Sequence, residues 1–144
     1  MSKKRILMVS EASYTLSGYG VYSKEILSRL HSTGKYEIAE LASYAFPNDE
    51  RNPGTPWKLY PTDIDKRTND PRRAQLDENP LNQFGHWRFE RVCLDFKPDI
   101  VFDVRDPWMF SWQNKSPFRK FFHWAIMPTV DSVPQQEEWI QTFT

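Results

Sequence analysis

Residues 8–26, MVSEASYTLSGYGVYSKEI, decide the fold. They begin inside a short apolar run, Arg5-Ile6-Leu7-Met8-Val9, which reads as a buried strand. The chain then turns through small polar residues to Ser17-Gly18-Tyr19-Gly20. Beyond that point the period changes. Tyr22, Ile26 and Leu30 recur at helical spacing, with Leu27 beside them. Strand, glycine loop and helix together open a βα unit. Such a loop leaves N–H groups unpaired at the positive end of a helix dipole, which suits an anion. Gly18 and Gly20 permit positive φ and a close backbone approach. Thr15 and Ser17 are candidate caps. The competing reading is a tight βα turn that holds no ligand.

The glycines alone do not choose between these readings. Gly18-Tyr19-Gly20-Val21-Tyr22-Ser23 begins like a dinucleotide fingerprint but has Ser23 where that pattern wants Gly or Ala. Glu40 lies at the distance of the fingerprint's acidic residue, but in mid-strand rather than at a strand end.

Outward from this unit, Gly34 signals a helix end and residues 36–44 read as a second strand. Residues 46–73 form a long insert punctuated by Pro47, Pro53, Pro56, Pro61 and Pro71, with one short strand at 57–60. Long connections of this kind are functional or mobile. Residues 82–96 read as a helix with Phe89, Val92, Cys93 and Phe96 in one stripe, stopped by Lys97-Pro98-Asp99. A strand at 100–104, a short helix at 108–112, a strand at 121–127 and a helix at 135–143 complete the chain. The alternation predicts an α/β fold, a Rossmann-like open parallel sheet with helices on both faces.

The 144 residues amount to one domain. Nineteen basic and nineteen acidic residues cancel, so net charge draws the protein neither to nucleic acid nor to anionic membrane. The apolar run after Lys3-Lys4-Arg5 is too short for a signal segment, and no stretch is long enough to span a bilayer. The single cysteine, Cys93, forms no internal disulfide, reads as a packed thiol and fits a reducing cytoplasm. The six tryptophans predict a large core, an aromatic cleft or a face for another domain.

Ligands of open parallel sheets bind at the carboxyl ends of the strands. The first strand brings Glu11, Ser13 and the loop Ser17, Gly18, Tyr19, Gly20 to that edge. The fourth brings Arg105, Asp106 and Trp108, and the fifth Thr129, Asp131 and Ser132. Asp131 reads either as an acid/base or charge-stabilising group, or as an Asx-type cap before Pro134. Arg105 and Asp106 read either as an ion pair shaping the cleft, or as a phosphate or substrate contact with its orienting carboxylate. Three scattered histidines and one cysteine have no metal-ligand spacing, so no metal is expected. There is no Walker A lysine motif and no GxSxG elbow.

In order along the chain, four segments resemble family 4 glycosyltransferases, retaining enzymes of the GT-B fold. They are Ile6-Leu7-Met8-Val9-Ser10 with Ser17-Gly18-Tyr19-Gly20; Lys97-Pro98-Asp99-Ile100-Val101; Asp106-Pro107-Trp108-Met109-Phe110; and Pro128-Thr129-Val130-Asp131-Ser132 with Pro134 and Trp139. The resemblance implies that residues 1–144 are the N-terminal, acceptor-side domain of a hexosyltransferase-like enzyme. It implies that Ser17 to Gly20 approach the donor diphosphate, and that Asp131, Arg105 and Asp106 take catalytic positions. Glu11, Ser13, Trp108, Thr129 and Ser132 line the acceptor cleft on the same basis. The domain that holds most of a nucleotide-sugar donor is absent from these residues. No cofactor is implied beyond that donor substrate. The partners implied are the nucleotide sugar, the acceptor and the missing domain or a partner chain. Alone, the chain is expected to be inactive and self-associating, with some of Trp108, Phe110, Trp112 and Trp124 facing the missing partner. The alternative is a non-catalytic Rossmann-like module that binds a nucleotide or a partner. A dinucleotide-dependent oxidoreductase is a third reading, which NAD(H) binding would reveal.

Overall fold

The computed structural model describes residues 2–130 and 133–144. Five strands, β1 (Lys4–Glu11), β2 (Tyr36–Ser43), β3 (Lys58–Pro61), β4 (Ile100–Arg105) and β5 (His123–Pro128), form one sheet in the order β3-β2-β1-β4-β5. Every pairing is parallel. The central strand carries the apolar run, and Leu7, Met8 and Val9 are wholly buried because both faces are covered.

Helix α1 (Gly18–Ser32) covers one face, with Leu27 packed among Met8, Ile38 and Val104. Ser17 caps it, its hydroxyl accepting from the Gly20 N–H at 3.1 Å. Gly34, at φ +66°, lets the chain leave toward β2. On the other face, α3 (Phe89–Phe96) lays Phe89, Val92, Cys93 and Phe96 on Leu7, Val9, Leu41 and Val101. Each large apolar side chain buried there contributes about 1.5–3 kcal/mol. Two shorter helices, α2 (Arg73–Asp77) and α4 (Pro107–Phe110), and the final α5 (Glu137–Phe143) complete the set.

The helix expected over 82–96 is interrupted. A 3₁₀ turn, Pro80–Phe84, ends at Gly85 with φ +94°, and α3 starts only at Phe89. A Cβ at Gly85 would lie 2.9 Å from Leu41 Cδ2, so the glycine lets this turn sit against β2. The Lys97-Pro98-Asp99 segment has a structural role. Lys97 ends α3 in the left-handed region, and the Asp99 carboxylate accepts from Arg5 N–H at 2.8 Å, fixing the start of β1.

β5 is an edge strand with one bare side. Trp124 packs on the α3 side, whereas His123, Ala125 and Met127 are exposed on the face that α1 covers farther in. Among the described residues, no helix is long and apolar enough to cross a membrane.

Candidate functional site

The carboxyl edge of the sheet is built around the β1–α1 loop. Thr15 N–H and Oγ1 both bond the Ala12 carbonyl, at 2.9 and 2.7 Å, closing a tight turn. Ser17 donates to the Glu11 carboxylate while capping α1. Neither Gly18 nor Gly20 has a positive φ, so the expected need for left-handed backbone here is not met. Their surroundings differ. A Cβ at Gly20 would stand 2.6 Å from the Thr15 carbonyl oxygen, so this glycine is required by the turn. At Gly18 nothing lies within 4 Å. The first N–H groups of a helix have no acceptor within it. Ser17 takes that of Gly20, and among the described residues those of Gly18 and Tyr19 have no acceptor.

The ends of β4 and β5 come to the same place. Tyr19 donates its phenol proton to Asp106 Oδ1 at 2.6 Å, and Thr129, whose N–H donates to the Arg105 carbonyl at 3.3 Å, follows directly on β5. Burial, then the bond to Asp106, raises the Tyr19 pKa, so the phenol stays protonated. Glu11, Asp106 and Thr129 therefore stand at the ends of three neighbouring strands, with Tyr19 bonded to Asp106. The two carboxylates lower the affinity of the α1 N-terminus for a free anion, but they can accept from hydroxyls. Trp108 stands half-exposed beside them, edge-on to Phe84 with ring centres 5.1 Å apart.

Two expectations are corrected. Arg105 does not pair with Asp106 or face a cleft. It is 1% exposed and binds Asp103 Oδ1 through Nη2 at 2.9 Å and the Phe84 carbonyl through Nη1 at 2.9 Å. Gln113 and Trp124 also donate to Asp103, each at 2.7 Å, so this buried network ties β4 to the segments around it. Ser13 is buried too, its N–H donating to Glu40 Oε1 at 3.0 Å. Of the four aromatic residues, some of which were expected on an open face, Trp108 is 46% exposed, whereas Phe110 is fully buried and Trp112 and Trp124 pack against the core. Asp131 and Ser132 lie outside the described residues.

Glu40 was the acidic residue at fingerprint distance, and it serves a different purpose. It is buried beneath the loop and also accepts from Trp57 Nε1, joining the β1–α1 turn to the insert. Burial raises its pKa, against the bonds from Ser13 and Trp57. A charged residue inside an apolar strand was the available signal for Glu40 and for Asp103 alike.

Two cavities adjoin this edge. A groove of about 440 Å³ runs from Leu16, Val21 and Lys24 to Arg51 and Trp57 of the insert. A smaller pocket of about 210 Å³ lies beyond β2 and β3, with Tyr44 on one wall. Among the described residues, no cluster of three His, Cys, Asp or Glu side chains is placed to hold a metal. The chain matches no family model and no curated protein.

Proposed function

We propose that this chain is the acceptor-side domain of a nucleotide-sugar-dependent glycosyltransferase with the two-domain GT-B architecture, similar to family 4. What supports the reading is that Gly18 and Tyr19 open α1 at the carboxyl edge of the sheet, where the Tyr19 phenol bonds Asp106 and Thr129 follows the neighbouring strand. In this reading the Gly18–Tyr19 amides touch the donor diphosphate, a contact weakened by the nearby Glu11 and Asp106 carboxylates, so that the missing domain supplies most of the donor's binding. Glu11 and Asp106 orient acceptor hydroxyls, and Trp108 provides an apolar wall. Arg105 supports β4 from inside, and Asp131 remains the acid/base candidate. The donor is a substrate, no cofactor takes part, and the enzyme works in the cytoplasm, where Cys93 stays reduced.

A donor held through a few amides on one wall binds weakly, with a Kd of about 1 mM or above, roughly 4 kcal/mol. Titrating the 15N-labelled chain with UDP-, GDP- and ADP-sugars should shift the Gly18 and Tyr19 amides without turnover. Unmoved amides, or a preference for NAD(H), would overturn the reading. A second reading, a partner-binding module that catalyses nothing, is favoured by the bare face of β5, where Met127 is 39% exposed.

A further inference from the structure

We infer that the pocket beyond β2 and β3, walled by the end of the insert and the segment that follows it, is a binding site for a neutral sugar ring. The inference stands on the pocket alone and does not require the transferase reading. At about 210 Å³ the space is smaller than the roughly 300–1,000 Å³ of drug-sized sites and suits one ring rather than a nucleotide.

Its charges cancel locally. Arg73 pairs with Asp63 at 2.8 Å and with Asp77 at 3.7 Å, while Lys66 pairs with Asp63 at 3.3 Å. A phosphate or carboxylate would have to displace these partners, whereas uncharged hydroxyls can bond both signs of charge at once. The groups are also fixed in advance, which reduces the ordering lost on binding. Asp63 Oδ1 accepts from Ile64 N–H at 2.8 Å, and Arg73 reaches the Ile64 carbonyl. Asn82 spends one amide hydrogen on the Leu76 carbonyl at 3.0 Å, which orients its oxygen. Gln83 stands exposed at the mouth and is held by its backbone carbonyl, which accepts from Thr62 Oγ1.

Aromatic surface completes the chemistry. The Trp87 indole is locked by its bond to the Thr62 carbonyl at 2.8 Å and by the Arg88 guanidinium 4.7 Å from its ring centre. Tyr44 sits at φ +69°, a backbone position that is costly for any residue with a side chain. Glycine or asparagine would make that turn with less strain. A tyrosine there holds a ring at the pocket wall. Fixed donors and acceptors beside aromatic rings, with no net charge, are the chemistry that recognises a pyranose.

The test follows the Trp87 indole N–H in the 15N-labelled chain, assigned through Trp87→Phe. Methyl glucoside, mannoside and galactoside are the neutral probes; glucose 6-phosphate and methyl glucuronide are the charged ones. At least one neutral glycoside should shift the Trp87 signal saturably, with millimolar affinity. The indoles of Trp57 and Trp124, bonded to Glu40 and Asp103, should stay unmoved. Gln83→Ala, which leaves every fold contact named above, should weaken binding about fivefold, the scale of one neutral hydrogen bond. No shift up to the solubility of the neutral probes, tighter binding of a charged probe, or an unaffected Gln83→Ala variant would overturn the inference. No nucleotide sugar is present, so failure here leaves the transferase reading to the Gly18 and Tyr19 amides.

Discussion

Gly18 and Gly20 are two residues apart and meet opposite surroundings. Adding a methyl group at Gly20 drives it into the backbone of Thr15, which cannot rotate away. Gly20→Ala should therefore cost about 1–3 kcal/mol in urea unfolding, the scale of overpacking. Gly18→Ala meets open space and should leave stability within about 1 kcal/mol. Equal losses at the two positions would show that the turn does not discriminate between them. The sequence could not separate the two, because a GxG spacing says nothing about which glycine the backbone crowds. Glu40 carries a second residue-scale expectation. Its folded pKa is raised above 4.5, so the folded chain holds that proton more tightly than the unfolded chain. Its contribution is fully present below the unfolded pKa and is lost as pH rises through the folded one. Denaturation midpoints of the wild type minus those of Glu40→Gln should thus fall as pH rises from about 4.5. A rising difference would mean that the bonds from Ser13 and Trp57 outweigh burial.

At the scale of elements, the insert is less loose than its prolines suggest. Asp49 and Arg51, Asp65 and Arg67, and Asp70 and Arg72 repeat one local clip. In each, the arginine donates both its N–H and its guanidinium to the aspartate two residues before it. The clips hold Asp49 and Asp70 down to about 2 through the arginine bonds. The three Asp-x-Arg triplets were legible, but a reading tuned to hydrophobic period and proline passes over them. Exposed pairs are worth little globally. Arg67→Ala should therefore move the unfolding free energy by less than about 1 kcal/mol while speeding limited proteolysis between residues 46 and 73. Unchanged cleavage would mean that the clip does not order the insert. The broken helix before α3 was harder to foresee. Gly85 weakens a helix in any context, but its approach to Leu41 is a tertiary contact.

For the whole molecule, the parallel direction of the strands followed from the alternation of periods, since buried parallel strands impose continuous apolar runs, whereas the order β3-β2-β1-β4-β5 is a property of the assembled sheet. The candidate site was legible only in part. Position along a strand brought Glu11, Asp106 and Thr129 to one edge correctly, but it could not tell that Arg105 turns inward to Asp103. That depends on the alternating faces of a strand and on what packs over each. The bare side of β5 is likewise a property of the assembled sheet. Met127 is exposed on this edge strand, and an exposed strand edge is a template for pairing with a second chain. Met127→Glu should shift the concentration dependence of sedimentation toward monomer. A wild-type chain that is monomeric at every concentration would remove that role.

Cys93 gives the molecule a built-in clock. Its thiol is buried under α3, and burial lifts its pKa to about 12, so an alkylating reagent finds almost no thiolate in the closed state. No second sulfhydryl competes for the reagent. The rate at which iodoacetamide consumes this one group therefore counts the moments when α3 lifts from the sheet. Followed against denaturant, the same trace separates fraying of a single helix from collapse of the entire domain.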